Sequence, residues 1–173
     1  MKVLVLTGSA RPNSAGKQII PVVEDIIKDN GATTDVVEIG LLGLPFYDAP
    51  TPPSAPEFSV NNEKVAAWSK MVEAADAVVM MTPEYNGGPS AIQKNAIDWI
   101  YKEWNEKPVV MIGYGWHMPS RSQQSLKVAL EVVKVRAGSH VQLQFDNDIN
   151  VDGSVRDKDA VTSKISTAIS SIL

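Results

Sequence analysis

The chain contains no cysteine. Disulfides, thiolate metal sites, iron–sulfur clusters and a catalytic thiol are therefore excluded. Its two histidines, His117 and His140, are too far apart for a local His-x3-His metal site. No apolar stretch approaches the roughly 20 residues that span a bilayer, so no membrane partner is expected. The opening apolar run, Val3–Leu6, is too short for a secretory signal, and no small-residue cleavage site follows it. The cytoplasm is the expected location. Basic residues are outnumbered, 16 against 20 acidic, for a net charge of −4. That argues against a nucleic-acid partner held by phosphate neutralisation. Neither the Walker A pattern Gly-x4-Gly-Lys-Ser/Thr nor Gly-x-Gly-x-x-Gly occurs, which weakens the nucleotide-triphosphatase and dinucleotide-binding classes.

What is present is enough to build a core. Hydrophobic residues are 44% and charged residues 21%, close to the globular average. A chain of 173 residues reads as a single domain, 1–173.

Apolar runs and helical spacings alternate. Val3–Leu6, Ala77–Met81 and Val109–Ile112 are continuous apolar runs and read as buried strands. Val36, Val37 and Ile39 suggest another strand. Val141, Leu143 and Phe145 alternate with glutamines and suggest a strand apolar on one face. Between them, apolar residues recur at three and four. Ile19 to Ile27 form one helix face, with Pro21 near its first turn and Gly31 as its stop. Val65, Trp68 and Val72 mark the next helix, and Ile92 to Ile100 the third. Leu126 to Val133 mark a fourth, ending near Ala137-Gly138, and Val161 to Ile172 a fifth. Strand–helix alternation means parallel βαβ units. Continuous runs belong in the centre and mixed runs at the edges. The expected architecture is a flavodoxin-like α/β three-layer sandwich, a five-stranded parallel sheet of order 2-1-3-4-5. Residues 41–60 stand apart. Four prolines fall within 50–56, which excludes helix and central strand and leaves an extended loop with apolar contacts at Leu44, Phe46, Tyr47 and Phe58.

Ligands of such a sheet bind beyond the carboxyl ends of its strands, where the strand order reverses. Three unusual loops fall there. Residues 7–17 combine small residues with Ser9, Arg11 and Ser14 ahead of a helix start, which suits a phosphate cradle. An ordinary capped turn with a surface arginine would read the same way. Residues 82–90 carry Pro83, Glu84, Tyr85 and Asn86-Gly87-Gly88, a stiffened turn on which a planar heterocycle can lie. Residues 113–120 place Tyr114, Gly115 and Trp116 beside His117, either as a wall for a flat ligand or as packing.

Gly8-Ser9-x-Arg11, followed by Pro83-Glu84-Tyr85-Asn86-x-x-Pro89-x-x-x-Gln93-Lys94-Asn95-Ala96-Ile97-Asp98-Trp99, resembles the NADPH-dependent FMN reductase family over about residues 1–145. The resemblance implies FMN as cofactor. Ser9, Arg11, Ser14 and the amides of Ala15 and Gly16 would hold its phosphate. Pro83, Glu84, Tyr85 and Asn86 would carry its ring, with Tyr114, Gly115 and Trp116 beside the pyrimidine edge. NADPH or NADH would be co-substrate, and a quinone, azo compound or free flavin the small-molecule electron acceptor. The family's habit of forming homodimers or homotetramers points to the loop 44–58 and Trp104 as contact surface. Many relatives carry a glycine-rich stretch where this chain has Trp116–Ser120. No residue is assigned as catalytic acid or base. The alternative class is a flavin-binding electron carrier or redox-responsive partner protein without nicotinamide turnover.

Overall fold

The computed structural model describes residues 1–116 and 120–173. Among them, five strands alternate with five α-helices. The order is β1 (Lys2–Thr7), α1 (Ala15–Asp29), β2 (Thr33–Glu38), α2 (Glu63–Glu73), β3 (Ala77–Pro83), α3 (Ala91–Asp98), β4 (Pro108–Gly115), α4 (Ser120–Val132), β5 (Arg136–Gln144) and α5 (Lys158–Ile169). Two short 3-10 turns, Ile39–Leu41 and Lys102–Trp104, punctuate the connections. The sheet is parallel throughout, in the expected order β2-β1-β3-β4-β5. Every residue of β3 and β4 is buried, as is all of β1 after Lys2. β2 and the first half of β5 are largely exposed. Strands covered by helices on both faces must be apolar at successive positions, which is why the continuous runs take the centre.

Successive side chains of a strand point to opposite faces, so one sheet builds two cores. Val3, Val5, Val79, Met81, Val110 and Ile112 face α1 and α5, against Ile19, Val23, Val161 and Ile165. Leu4, Leu6, Val78, Met80, Val109 and Met111 face the other three helices, against Val65, Trp68, Ile97 and Leu126. Each fully buried aliphatic side chain contributes on the order of 1.5–3 kcal/mol. Among the described residues no helix is long and apolar enough to cross a membrane.

The helix ends explain where the structure departs from expectation. α1 closes with the Ala32 amide donating to Ile27 O and Gly31 to Lys28 O, with Gly31 at φ +78. This is a Schellman motif with glycine at its left-handed position. α4 closes identically, Val135 to Leu130 O and Lys134 to Glu131 O, but the left-handed residue is Lys134 at φ +60. The helix therefore stops before Ala137-Gly138, and those residues lie inside β5. Ile39 leaves β2 for the 3-10 turn. Pro21 stands beyond the first turn of α1, on its exposed side.

Two expectations are corrected, Trp104 as contact surface and Phe46 as an apolar contact of its loop. Trp104 is wholly buried, packed edge-on against Trp68 with ring centroids 6.0 Å apart, and presents nothing to a partner. Phe46 is 77% exposed and makes no apolar anchor for its loop. Leu44 and Tyr47 do anchor it, packing on the second core.

Candidate functional site

The carboxyl ends of β1, β3 and β4 open into a cleft lined by Ser9, Arg11, Asn13, Ser14, Ala15, Pro83, Glu84, Tyr85, Tyr114, Gly115, Trp116, Phe145 and Val151. The loop after β1 is fastened from below. The Gly8 amide donates to Met81 O at 2.8 Å, and the Ser90 hydroxyl donates to Gly8 O. A Cβ built on Gly8 would lie 2.5 Å from Gln93 Oε1 and 2.6 Å from Met81 O, so only glycine fits. Above it, Ser9 is buried. Its hydroxyl accepts the Arg11 amide at 3.2 Å and pairs with the Tyr85 hydroxyl at 2.6 Å.

The start of α1 differs from the other described helix starts. Asn62, Ser90 and Asp157 each accept a first-turn amide of α2, α3 and α5. Ser14 stands at the same position of α1 with extended backbone, yet makes no capping bond. Its hydroxyl pairs instead with the Tyr114 hydroxyl at 2.9 Å. The first turn of α1 contains no acidic residue. The helix therefore turns the positive end of its dipole toward the cleft, with Ala15 on the lining and the Lys17 amide returned to Ser14 O at 3.0 Å. Lys17 is paired with Glu38 at 2.7 Å, while among the described residues Arg11 has no ion-pair partner. Tyr114 is itself buried. Burial pushes its phenol up to about 12, against hydrogen bonds from Ser14, the Gly16 amide and Ser9 that favour the charged form. Gly16 packs against the Tyr114 ring and does not line the cleft.

The loop after β3 forms the floor. Tyr85 and Gly88 exchange amide hydrogen bonds of 2.8 and 3.0 Å around Asn86 (φ +51) and Gly87 (φ +78). Two left-handed residues between such bonds make a type I′ turn, for which Asn-Gly is the preferred pair. Asn86 is consequently an exposed turn residue outside the cleft lining. The Glu84 amide donates to Tyr114 O at 3.2 Å. Its carboxylate accepts the Ser122 amide at 3.3 Å, in the first turn of α4, where a negative charge meets the helix dipole favourably.

The remaining wall comes from late in the chain. Trp116 is half exposed and stands edge-on to Phe145, with centroids 5.3 Å apart. The Phe145 amide donates to Gly115 O at 2.9 Å. Beyond it, Asp148 is buried, accepts the Gln144 amide at 2.9 Å and pairs with the Lys164 ammonium. Burial alone would raise its carboxyl, but the bonds from Lys164 and Gln144 prevail and hold it below the usual range. Gly153 lies directly against the Ala15 backbone; a Cβ there would be 2.2 Å from Ala15 O.

The structure thus brings together Ser9, Arg11, Ser14, Ala15, Pro83, Glu84, Tyr85, Tyr114, Gly115 and Trp116 from the sequence expectation, and leaves Gly16 and Asn86 off the lining. His117 lies outside the described residues. Asn13, Phe145 and Val151 are additional lining residues. Phe145 follows a strand's carboxyl end, so the rule that located the loops reaches it too. Val151 carries no such signal. The long segment after β3 also has a second task. Asn95 accepts the Tyr47 amide and donates to Pro45 O, both at 2.8 Å, and Trp99 Nε1 donates to the same oxygen at 2.7 Å.

Fold and cleft define a doubly wound α/β protein with a cleft at its topological switch point. The chain belongs to the NADPH-dependent FMN reductase family, whose model matches residues 1–149. It is 31% identical over 165 residues to an NAD(P)H-dependent FMN reductase of Nectria sp., covering 90% of this chain and 81% of that one. It is 30% identical over 118 residues to 2-hydroxy-1,4-benzoquinone reductase of Burkholderia sp., covering 65% and 60%. An FMN-dependent NADPH-azoreductase of Staphylococcus aureus is 30% identical over 162 residues, covering 89% and 83%. Among solved structures, the flavoenzyme NAD(P)H:(acceptor) oxidoreductase of Paracoccus denitrificans superposes with a TM-score of 0.77 at 25% identity, covering 99% and 96%. The named sequence relatives are all reductases.

Proposed function

We propose that this chain is a single-domain NAD(P)H-dependent FMN oxidoreductase, passing two electrons from NADPH or NADH to a quinone, azo compound or free flavin. The observation that carries the reading is the start of α1 without a side-chain cap beside Arg11, which has no ion-pair partner among the described residues, at one end of a cleft whose rim is aromatic. These residues fit FMN. Bound there, FMN would supply the redox chemistry, accepting electrons from the nicotinamide and releasing them to the acceptor.

The chain's own residues bind, orient and shield. The Ala15 amide at the positive end of α1, the Ser14 hydroxyl and the Arg11 guanidinium receive a phosphate dianion. The end of β3, Pro83 to Tyr85, gives the ring a floor held rigid by the Glu84–Tyr114 and Tyr85–Gly88 backbone bonds. Trp116 and Phe145 narrow the opposite side. Family membership and the named reductases support enzymatic turnover. A cytoplasmic homodimer or homotetramer accompanies this reading, supported by the exposed Leu41 and Phe46 beside the proline-rich loop.

The test is purification followed by titration. The recombinant chain is expected to be yellow, to give calorimetric heat with FMN, and to oxidise NADPH in the presence of a benzoquinone. Arg11→Ala is expected to weaken FMN about 10-fold at low salt, the loss of one charge-assisted contact. A colourless protein giving no heat with FMN overturns the proposal.

A further inference from the structure

Ser14 and Ser90 hold nearly the same N-cap backbone, φ −72 and ψ 131 against φ −66 and ψ 145. Ser90 accepts the Gln93 amide, as an N-cap serine ordinarily does. Ser14 does not, because its hydroxyl is engaged by Tyr114, 100 positions away in the chain. We infer that Tyr114 is a positioning residue for the phosphate end of the cleft: its hydroxyl holds Ser14 out of the capping position and turns the serine's own proton toward the ligand. This rests on the FMN reading above and goes beyond it, because Tyr114 acts from behind the loop rather than on the ring.

Either hydroxyl of the pair can donate, so the phenol can give its proton to Ser14 Oγ. Burial keeps the phenol protonated across the physiological range. Ser14 Oγ, accepting from Tyr114, has its own O–H left over, and Ser14 lines the cleft. The loop is moulded to this arrangement, since a Cβ on Gly16 would lie 2.7 Å from the Tyr114 oxygen. One buried hydroxyl thus does two things: it holds Ser14 Oγ away from the capping position and it leaves the serine's own O–H for the cleft. Both act on a phosphate and neither acts on a flavin ring.

The test compares FMN with riboflavin, which lacks the phosphate. The full chain, freed of co-purified flavin, is titrated with each by fluorescence quenching, as wild type, Tyr114→Phe, Ser14→Ala and the double variant. Tyr114→Phe is expected to weaken FMN about 5- to 20-fold, the range of one hydrogen bond to a charged group's donor, with riboflavin changed less than about 2-fold. Ser14→Ala is expected to lose a similar factor, and the double variant no more than the worse single. An unchanged FMN-to-riboflavin ratio in Tyr114→Phe overturns the inference, as does equal weakening of both flavins or a double variant that loses the product of the two factors. If Tyr114→Phe shows no cooperative melt, Ser14→Ala decides, and a wild-type ratio there overturns it. Failure of wild type to bind FMN sinks the functional reading itself, a distinguishable result.

Discussion

Gly8 offers the sharpest mechanical test of how the loop after β1 is built. Replacing it with alanine places a methyl 2.5 Å from Gln93 Oε1 and 2.6 Å from Met81 O. A carbon does not sit closer than about 3.0 Å to such atoms, so something must move by at least several tenths of an ångström. Gln93 can swing, but only by giving up the bond from its amide to the Thr82 hydroxyl at 3.2 Å. Met81 O is backbone of a central strand and cannot yield. The loop itself must lift, loosening the Gly8–Met81 and Ser90–Gly8 bonds. Overpacking of this kind costs about 1–3 kcal/mol, and a lost buried hydrogen bond adds about 1 kcal/mol. The expected total of about 2–4 kcal/mol lowers the melting temperature by roughly 4–16 °C for a domain of this length. The matched control is Gly88→Ala, whose Cβ meets nothing closer than 3.8 Å. That variant should stay within about 0.5 kcal/mol of wild type. Thermal and urea unfolding by circular dichroism measure both. A Gly8→Ala protein that melts within a degree of Gly88→Ala refutes the reasoning.

Two further outcomes follow from the supports of the site. Asn95→Ala removes both of its bonds to the 45–47 segment and leaves the Tyr47 amide without its acceptor, at a cost of about 1–3 kcal/mol. Limited proteolysis should then cut within residues 44–58 faster than in wild type; equal cutting rates would contradict the anchoring role. Asp148 has a depressed carboxyl, so its contribution is present above the unfolded value of about 4 and is lost as pH falls through the folded one. Asp148→Asn should therefore melt lower than wild type at pH 7, with the gap closing below about pH 4. Parallel melting curves across that window would count against the Lys164 pairing.

The sheet order was legible because burial on two faces leaves no room for polar residues in β1, β3 and β4, and their runs stand out in a single sequence. The end of α1 was legible because its left-handed residue is glycine. The end of α4 was not, because Lys134 takes the same conformation and nothing in its side chain announces it. Arg11 and the two serines were visible as donors before a helix. Their partners were not, since Ser9–Tyr85 and Ser14–Tyr114 join positions 76 and 100 apart, and only the sheet brings them together. Trp104, flanked by Glu103 and Asn105, looked like surface and is core. Asn95 and Trp99 lie in the segment that suggested the family, yet they hold a proline-rich loop and stand outside the cleft lining.

Gly153 presses on Ala15, and Phe145 and Val151 wall the cleft that Ser9 and Ser14 floor. The loop after β1 and the segment after β5 therefore meet around a single cleft. During synthesis the four strands through Gly115 can emerge without offering an enclosed cavity, and the pocket is finished only when residues 145–153 have left the ribosome. Cofactor capture is in this sense a late event, coupled to completion of the polypeptide rather than to formation of the sheet.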